Sequence, residues 1–235
     1  MEKVKLSVVI ISKNEENYIG EAIQSASFAD EVLVLDSYST DNTCAIARSL
    51  NARVEKQKWL GFGKQKNKAI QLAKNDWVFV LDADERITDS LKKEIIDMLK
   101  EPLYSAYYVA RLNDFFGQYI KTCGLYPDYS IRLFNRRLGK FNEVQVHESV
   151  EVNGKKGYLK SPMVHMAYDN VTEFINKQKY YAGLSNKPKN KFKAVFSPIW
   201  VFVKLYLLRF GFIDGWRGLV ISCVYAQYTF WKYSK

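Results

Sequence analysis

Little in this chain points to a covalently braced or exported protein. Its 235 residues include three cysteines and two histidines. Cys44, Cys123 and Cys223 are far apart and odd in number, which argues against a disulfide framework and a cysteine zinc site, and for a reducing compartment. The N-terminal Met-Glu-Lys-Val-Lys leads straight into an apolar segment with no cleavage-site pattern, so a cytosolic chain is expected. The longest apolar stretch, Ala194 to Ile213, is interrupted by Pro198, Lys204 and Arg209, which argues against a spanning helix of roughly 20 predominantly apolar residues. Internal repeats, low-complexity tracts and recognisable nucleic-acid motifs are all missing, so nucleic acid is not an expected partner.

What the chain does have is basic charge and aromatic residues. Lys and Arg total 35 against 25 Asp and Glu, a formal net charge of +10, which favours anionic partners such as a phosphorylated substrate or an acidic membrane surface. Hydrophobic residues make up 48% and charged residues 26%, a globular composition. The length suits one domain with an appendage.

Strands alternate with helices over the first hundred residues. Leu6 to Ile11, Glu31 to Leu35, the neighbourhood of Val54, and Trp77 to Leu81 read as strands. Tyr18 to Ser27, a segment around Cys44 to Leu50, and Gly63 to Ala73 read as helices. That order predicts βαβ units and a mostly parallel sheet flanked by helices, an α/β class fold. A further helix is expected from Asp89 to Lys100. Strands follow at Tyr104 to Leu112 and Ser130 to Phe134, with Asp128 in the loop between them.

Trp77-Val-Phe-Val-Leu-Asp-Ala-Asp-Glu-Arg86 is the stretch with the most chemistry in it. A buried strand runs directly into Asp82 and Asp84, and in an open α/β sheet ligands gather at the carboxyl ends of the strands. Two hard anionic oxygens there suit Mg2+ or Mn2+; the alternative is a turn of solvated aspartates. Asn14 and Glu15 after the first strand and Asp36 after the second converge on the same crevice. The turn Ser12-Lys-Asn-Glu-Glu-Asn17 lacks the glycines of a dinucleotide fingerprint, so a nucleotide carrying a metal-bound diphosphate fits better than NAD.

Ser-Val-Val-Ile-Ile-Ser-Lys-Asn-Glu15, Val-Leu-Val-Leu-Asp-Ser-Tyr-Ser-Thr-Asp-Asn-Thr43, Gln65-Lys-Asn-Lys-Ala69 and Leu81-Asp-Ala-Asp-Glu85 together resemble a family 2 glycosyltransferase of the GT-A type. A narrower similarity, to bacterial lipopolysaccharide-core β-1,4-glucosyltransferases, adds Trp59 to Asn67, Tyr-Pro-Asp-Tyr-Ser-Ile-Arg-Leu-Phe134, Val-His-Glu148 and Arg-Phe-Gly-Phe-Ile-Asp-Gly-Trp-Arg-Gly218. The resemblance implies a UDP-sugar donor, with glucose the favoured sugar, a divalent metal and an inverting transfer. It places Asn14, Glu15 and Asp36 at the nucleoside, Asp82 at the ribose or metal, and Asp84 and His165 at the metal. Lys66, Asn67 or Lys68 would face the diphosphate, though these lysines equally suit a solvated surface.

Inverting transfer requires a carboxylate to take the acceptor proton. Glu148, in Val-His-Glu, and Asp128, beside Pro127, are the two candidates. The His-Glu pair departs from the Glu-Asp usual in the family.

The expected domains are a catalytic part over 1–185, with a nucleotide half (1–100) and an acceptor half (101–185), and a basic, aromatic helical extension over 186–235. Ala194 to Ile213 and Leu219 to Tyr233 either pack on the protein or a partner, or lie in a membrane interface with Trp200, Trp216 and Trp231 at headgroup level. The preceding Asn-Lys-Pro-Lys-Asn-Lys-Phe-Lys193 favours the second. The resulting picture is a cytoplasmic enzyme, peripheral on the inner face of the cytoplasmic membrane, that glycosylates a lipid-linked saccharide. Another surface glycan as acceptor, or a non-enzymatic lipid-binding module, are the alternatives.

Overall fold

The computed structural model describes residues 4–142, 148–185 and 187–234. Strand β1 (Leu6–Ser12) is buried at every position, as a β-branched run becomes in a sheet covered on both faces. Helix α1 (Ile19–Ser25), β2 (Glu31–Asp36), α2 (Thr43–Ser49), β3 (Arg53–Lys56), α3 (Phe62–Leu72) and β4 (Trp77–Asp82) follow in alternation. β2 and β4 flank β1, both parallel to it, and β3 adds beyond β2. Parallel neighbours need crossover connections, which α1, α2 and α3 supply. The registers Ser12↔Asp36 and Ile11↔Asp82 bring three carboxyl ends level at one edge of the sheet.

After β4 the chain turns at once into β5 (Glu85–Ile87), a three-residue strand the sequence does not announce. Thr88 then caps α4 (Asp89–Met98), its hydroxyl accepting the Leu91 N–H at 3.2 Å. The remaining strands are β6 (Ala106–Phe115), β7 (Tyr119–Ile120), β8 (Asp128–Asn135), β9 (Gly139–Phe141), β10 (Val150–Val152), β11 (Lys156–Tyr158) and β12 (Met163–Tyr168). The sheet runs β3-β2-β1-β4-β8-β6-β12-β5, with β7 and β11 pairing to β6 and a separate β9–β10 ribbon. β8 is antiparallel to β4, and β12 to β5. Asp128, expected in a loop, is the first residue of β8.

Two compact units divide the chain. The first holds residues up to Arg111 together with Tyr129–His165; the second holds Leu112–Asp128 and the chain from Met166 onward. In the first unit one apolar layer gathers Ile10, Ile19, Ile23, Phe79, Leu91 and Ile95. Another, with Val9, Leu33, Ile70, Val80 and Phe134, lies under α3 and β9.

In the second unit Phe174 of α5 (Val171–Leu184) shares a core with Phe115, Ile120, Ile221 and Val224. The boundary expected at 185/186 therefore falls inside this unit, because the last helix and α5 bury the same apolar surface. Helix α6 (Lys191–Val203) contains Pro198 and runs into one wider turn at Lys204–Leu208. A short tight turn, Gly211–Asp214, precedes α7 (Gly215–Ser234). The apolar run expected over Ala194 to Ile213 is thus broken before α7.

Gly218 fixes the approach of that turn to α7. A Cβ there would lie 1.8 Å from the Gly211 carbonyl oxygen. Gly218→Ala is expected to destabilise the protein by about 1–3 kcal/mol through overpacking. At Gly20 an added Cβ meets Ile46 Cγ2 at 3.5 Å, an ordinary contact, so Gly20→Ala is the control that leaves the thermal midpoint unchanged or raised.

Candidate active site

The crevice is built within the first unit from the carboxyl ends of β1, β2 and β4. Asp36, the last residue of β2, is fully buried. It accepts hydrogen bonds from Ser12 Oγ at 3.2 Å, from the Ser39 N–H at 2.9 Å and from Ser39 Oγ. The Asn14 N–H donates to Ser39 Oγ at 2.8 Å, the Thr40 N–H to Asn14 Oδ1 at 2.9 Å, and the Glu15 N–H to Thr43 Oγ1 at 2.8 Å. The loops after β1 and β2 are therefore laced into one polar rim. Asn14, Glu15 and Asp36, named from sequence, sit together in it.

Beside the rim, buried charges of both signs meet. Gly63, Gln65, Lys66, Ala69 and Ile70 make the buried stripe of α3, so Lys66 points inward with its side chain 5% exposed. Its Nζ lies 3.0 Å from Asp82 Oδ1 and 3.0 Å from Glu148 Oε1. The antiparallel register of β8 on β4, Phe79↔Leu133, sets Arg132 one residue from Leu133. From there its guanidinium reaches Asp82 Oδ2 at 3.2 Å and Glu85 Oε1 at 2.6 Å. Glu85 is wholly buried, and its other oxygen accepts the Asp82 N–H at 3.0 Å. Arg132 and Glu85 thereby clamp the turn that carries Asp82 and Asp84.

Burial alone would oppose ionisation of Asp82, but Lys66 and Arg132 outweigh it and hold its carboxyl far below the usual carboxylate range. Glu85 moves the other way: burial raises it, and Asp82 and Asp84 add to the effect while Arg132 works against it. Lys66 and Arg132 stay charged because their carboxylate partners overcome the penalty of burial.

β5 and β12 bring the histidine in. His165 pairs with Glu85 across the two strands, and its Nε2 is 3.3 Å from Asp84 Oδ2. Among the described residues no group of three His, Cys, Asp or Glu side chains is arranged as a complete metal site. Asp84 and His165 are nonetheless two adjacent donors, a carboxylate and an imidazole, of the kinds that suit manganese. Both Asp82 oxygens are engaged by cations, so Asp84 is the carboxylate of the pair better placed for a metal.

Asn67, expected at the diphosphate, joins two elements of this unit. Its Nδ2 donates to the Phe141 carbonyl at 2.9 Å and its Oδ1 accepts the Phe141 N–H at 2.8 Å, tying α3 to β9. Asp128 belongs to the second unit, and His147 lies outside the described residues. Two residues the sequence reading missed, Glu85 and Arg132, complete the cluster. The signal for Arg132 was available: a lone cation inside the apolar run Ser130-Ile-Arg-Leu-Phe134 is placed to be buried and paired.

The chain is similar to several known proteins. One, an uncharacterized glycosyltransferase of Rickettsia typhi, is 32% identical over 98% of this chain and 86% of its own length. Another, the lipopolysaccharide core biosynthesis glycosyltransferase LpsC of Rhizobium meliloti, is 29% identical over 97% of this chain and 90% of its own. Among solved structures, S. aureus TarS 1–349 in complex with UDP-GlcNAc has a TM-score of 0.53 at 18% identity, covering 77% of this chain and 66% of that one. That likeness is one of fold, and it matches the GT-A architecture read from the sequence. The model of the family described as glycosyl transferase family 2 matches residues 7–162, a span that takes in the polar rim, Lys66, the acidic turn, Arg132 and Glu148. The chain belongs to glycosyl transferase family 2.

Proposed function

We propose that this glycosyltransferase moves a sugar, glucose by preference, from a UDP-sugar to a lipid-linked saccharide in lipopolysaccharide or lipooligosaccharide core biosynthesis, with inversion at the anomeric carbon. The observation that carries the reading is the junction at Lys66, whose one ammonium group joins Asp82 of the acidic turn to Glu148. It links a donor-side acid to a carboxylate suited to accept a proton. The likeness to LpsC supports the core-saccharide acceptor, and the UDP-GlcNAc held by TarS supports a UDP-linked donor.

Asp36, Asn14 and Glu15 hold the nucleoside in the polar rim. Lys66 and Arg132, both buried, supply positive potential beside the diphosphate. Asp84 and His165 would hold a Mn2+ or Mg2+ ion, which when bound stabilises the charge that develops on the leaving diphosphate. Glu148 takes the proton of the acceptor hydroxyl as its oxygen attacks the anomeric carbon. The bond from that carbon to the diphosphate breaks, and its electron pair leaves with UDP.

Calorimetric titration with UDP and with UDP-glucose, each with and without Mn2+, tests the donor and metal assignments. Metal-dependent UDP binding is expected, weakened about tenfold or more in Asp84→Ala, because the metal would lose its carboxylate anchor. Unchanged binding in Asp84→Ala removes Asp84 from the metal site. Tighter binding of a CDP- or GDP-sugar replaces the donor assignment.

A further inference from the structure

The C-terminal helices wear their apolar stripe on the outside. Phe192, Val195, Phe196, Ile199 and Trp200 follow the i, i+3, i+4, i+7, i+8 spacing of one helix face. In a water-soluble helix that face is buried, yet here all five are between 54% and 71% exposed. The residue of α6 that does turn inward is the small Ala194. Leu207, Leu208, Phe210, Phe212, Ile213 and Trp216 continue the exposed apolar surface around the turn into α7. Large apolar residues left exposed along one helix face and through the turn after it mark an interaction surface.

Charge says what covers it. Between residues 187 and 234 there are eight Lys or Arg and a single acid, Asp214. Four of the cations, Lys187, Lys189, Lys191 and Lys193, alternate through the approach to α6 and into its first turn. The Asn190 N–H bonds the Tyr233 carbonyl at 3.0 Å, and Lys193 lies 5.8 Å from the centre of the Tyr233 ring. The start of α6 and the end of α7 thus meet in a basic, tyrosine-bearing edge. Among the described residues no single helix is long and apolar enough to cross a membrane, and the two helical arms that together have the length are bent by 73°. An exposed apolar stripe bordered by cations, on helices too bent and too interrupted to span, has the pattern of a helix pair lying in a bilayer interface.

We propose that the α6–α7 hairpin is a monotopic docking face for an anionic bilayer surface. Phe192, Phe196, Ile199 and Trp200 enter the acyl boundary, and the lysines before α6 and in its first turn lie against anionic headgroups. The face is separate from the transfer chemistry: it binds vesicles whether or not Glu148 is the base.

Flotation of the full chain with phosphatidylcholine vesicles, with and without phosphatidylglycerol, tests this. Strong flotation with the phosphatidylglycerol vesicles is expected, reduced by raised salt and released by alkaline carbonate. Phe196→Ser with Trp200→Ser, both at exposed positions, is expected to weaken vesicle binding at least tenfold without changing UDP affinity or the thermal midpoint. Replacing Lys187, Lys189, Lys191 and Lys193 by Gln is expected to weaken binding to the anionic vesicles about a hundredfold or more. Equal flotation with both kinds of vesicle, or unchanged binding in the variants, overturns the proposal. Resistance to carbonate makes the hairpin a broken span instead. A dimer in the parent that the Phe196/Trp200 variant dissolves assigns the face to a second copy.

Discussion

Glu148→Gln is expected to lower the rate of sugar transfer by about 10²- to 10⁴-fold, the range over which positioned general bases contribute. The amide keeps the size of the carboxylate and an oxygen that can accept from Lys66. Lys66 keeps Asp82 as its second partner at 3.0 Å. Donor binding is therefore expected within a few-fold of the parent, and the loss to fall on kcat. Asp128→Asn is the companion variant, since Asp128 is the other carboxylate the sequence offers for the role. Near-normal turnover in Glu148→Gln with a collapse in Asp128→Asn would transfer the base to Asp128. A large loss in UDP affinity for Glu148→Gln would instead make Glu148 part of the donor site.

Much of this site could be read before any coordinates, because its first half is local in sequence. β1, β2 and β4 are short β-branched runs that end in polar residues, and strand ends in a parallel sheet point to the ligand crevice. Asp36, Asp82 and Asp84 followed from that rule alone. What stayed hidden is the pairing between distant segments. Lys66 and Glu148 are 82 residues apart, and Arg132 and Asp82 are 50 apart. No periodicity within a window of a dozen residues encodes such contacts. β5 escaped for a different reason: three residues are too few for an alternation to show, and the strand exists because β12 is there to pair with it. The outward apolar stripe of α6 was visible as a pattern, but periodicity gives only the existence of an apolar face. Whether that face is covered is a tertiary fact.

Arg132→Met is expected to destabilise the protein by about 3–5 kcal/mol, the usual result of removing one partner from a buried charge cluster. For a chain of this size that is a drop of roughly ten degrees in the thermal midpoint. Arg132 is 7% exposed at its side chain and bonds two carboxylates, one of which, on Glu85, has no contact with solvent. Asp82 would still have Lys66, but the nearest remaining cation to Glu85 is the Arg111 guanidinium at 3.9 Å. Glu85, whose carboxyl burial already pushes up, would then keep its buried charge without its 2.6 Å partner. Glu85→Gln made together with Arg132→Met should recover part of the loss, because the second change removes the charge that the first leaves stranded; neighbours in one network are expected to be non-additive in this way. Arg132→Lys restores one charge without the two-pronged geometry and should fall between parent and Arg132→Met. Thermal unfolding of the four proteins is the measurement. A loss below about 1 kcal/mol in Arg132→Met, the level of a surface pair, would mean that the acidic turn is held by its backbone and not by this cluster. The expected order instead makes Arg132 the residue that lets two carboxylates three positions apart remain together at the end of β4.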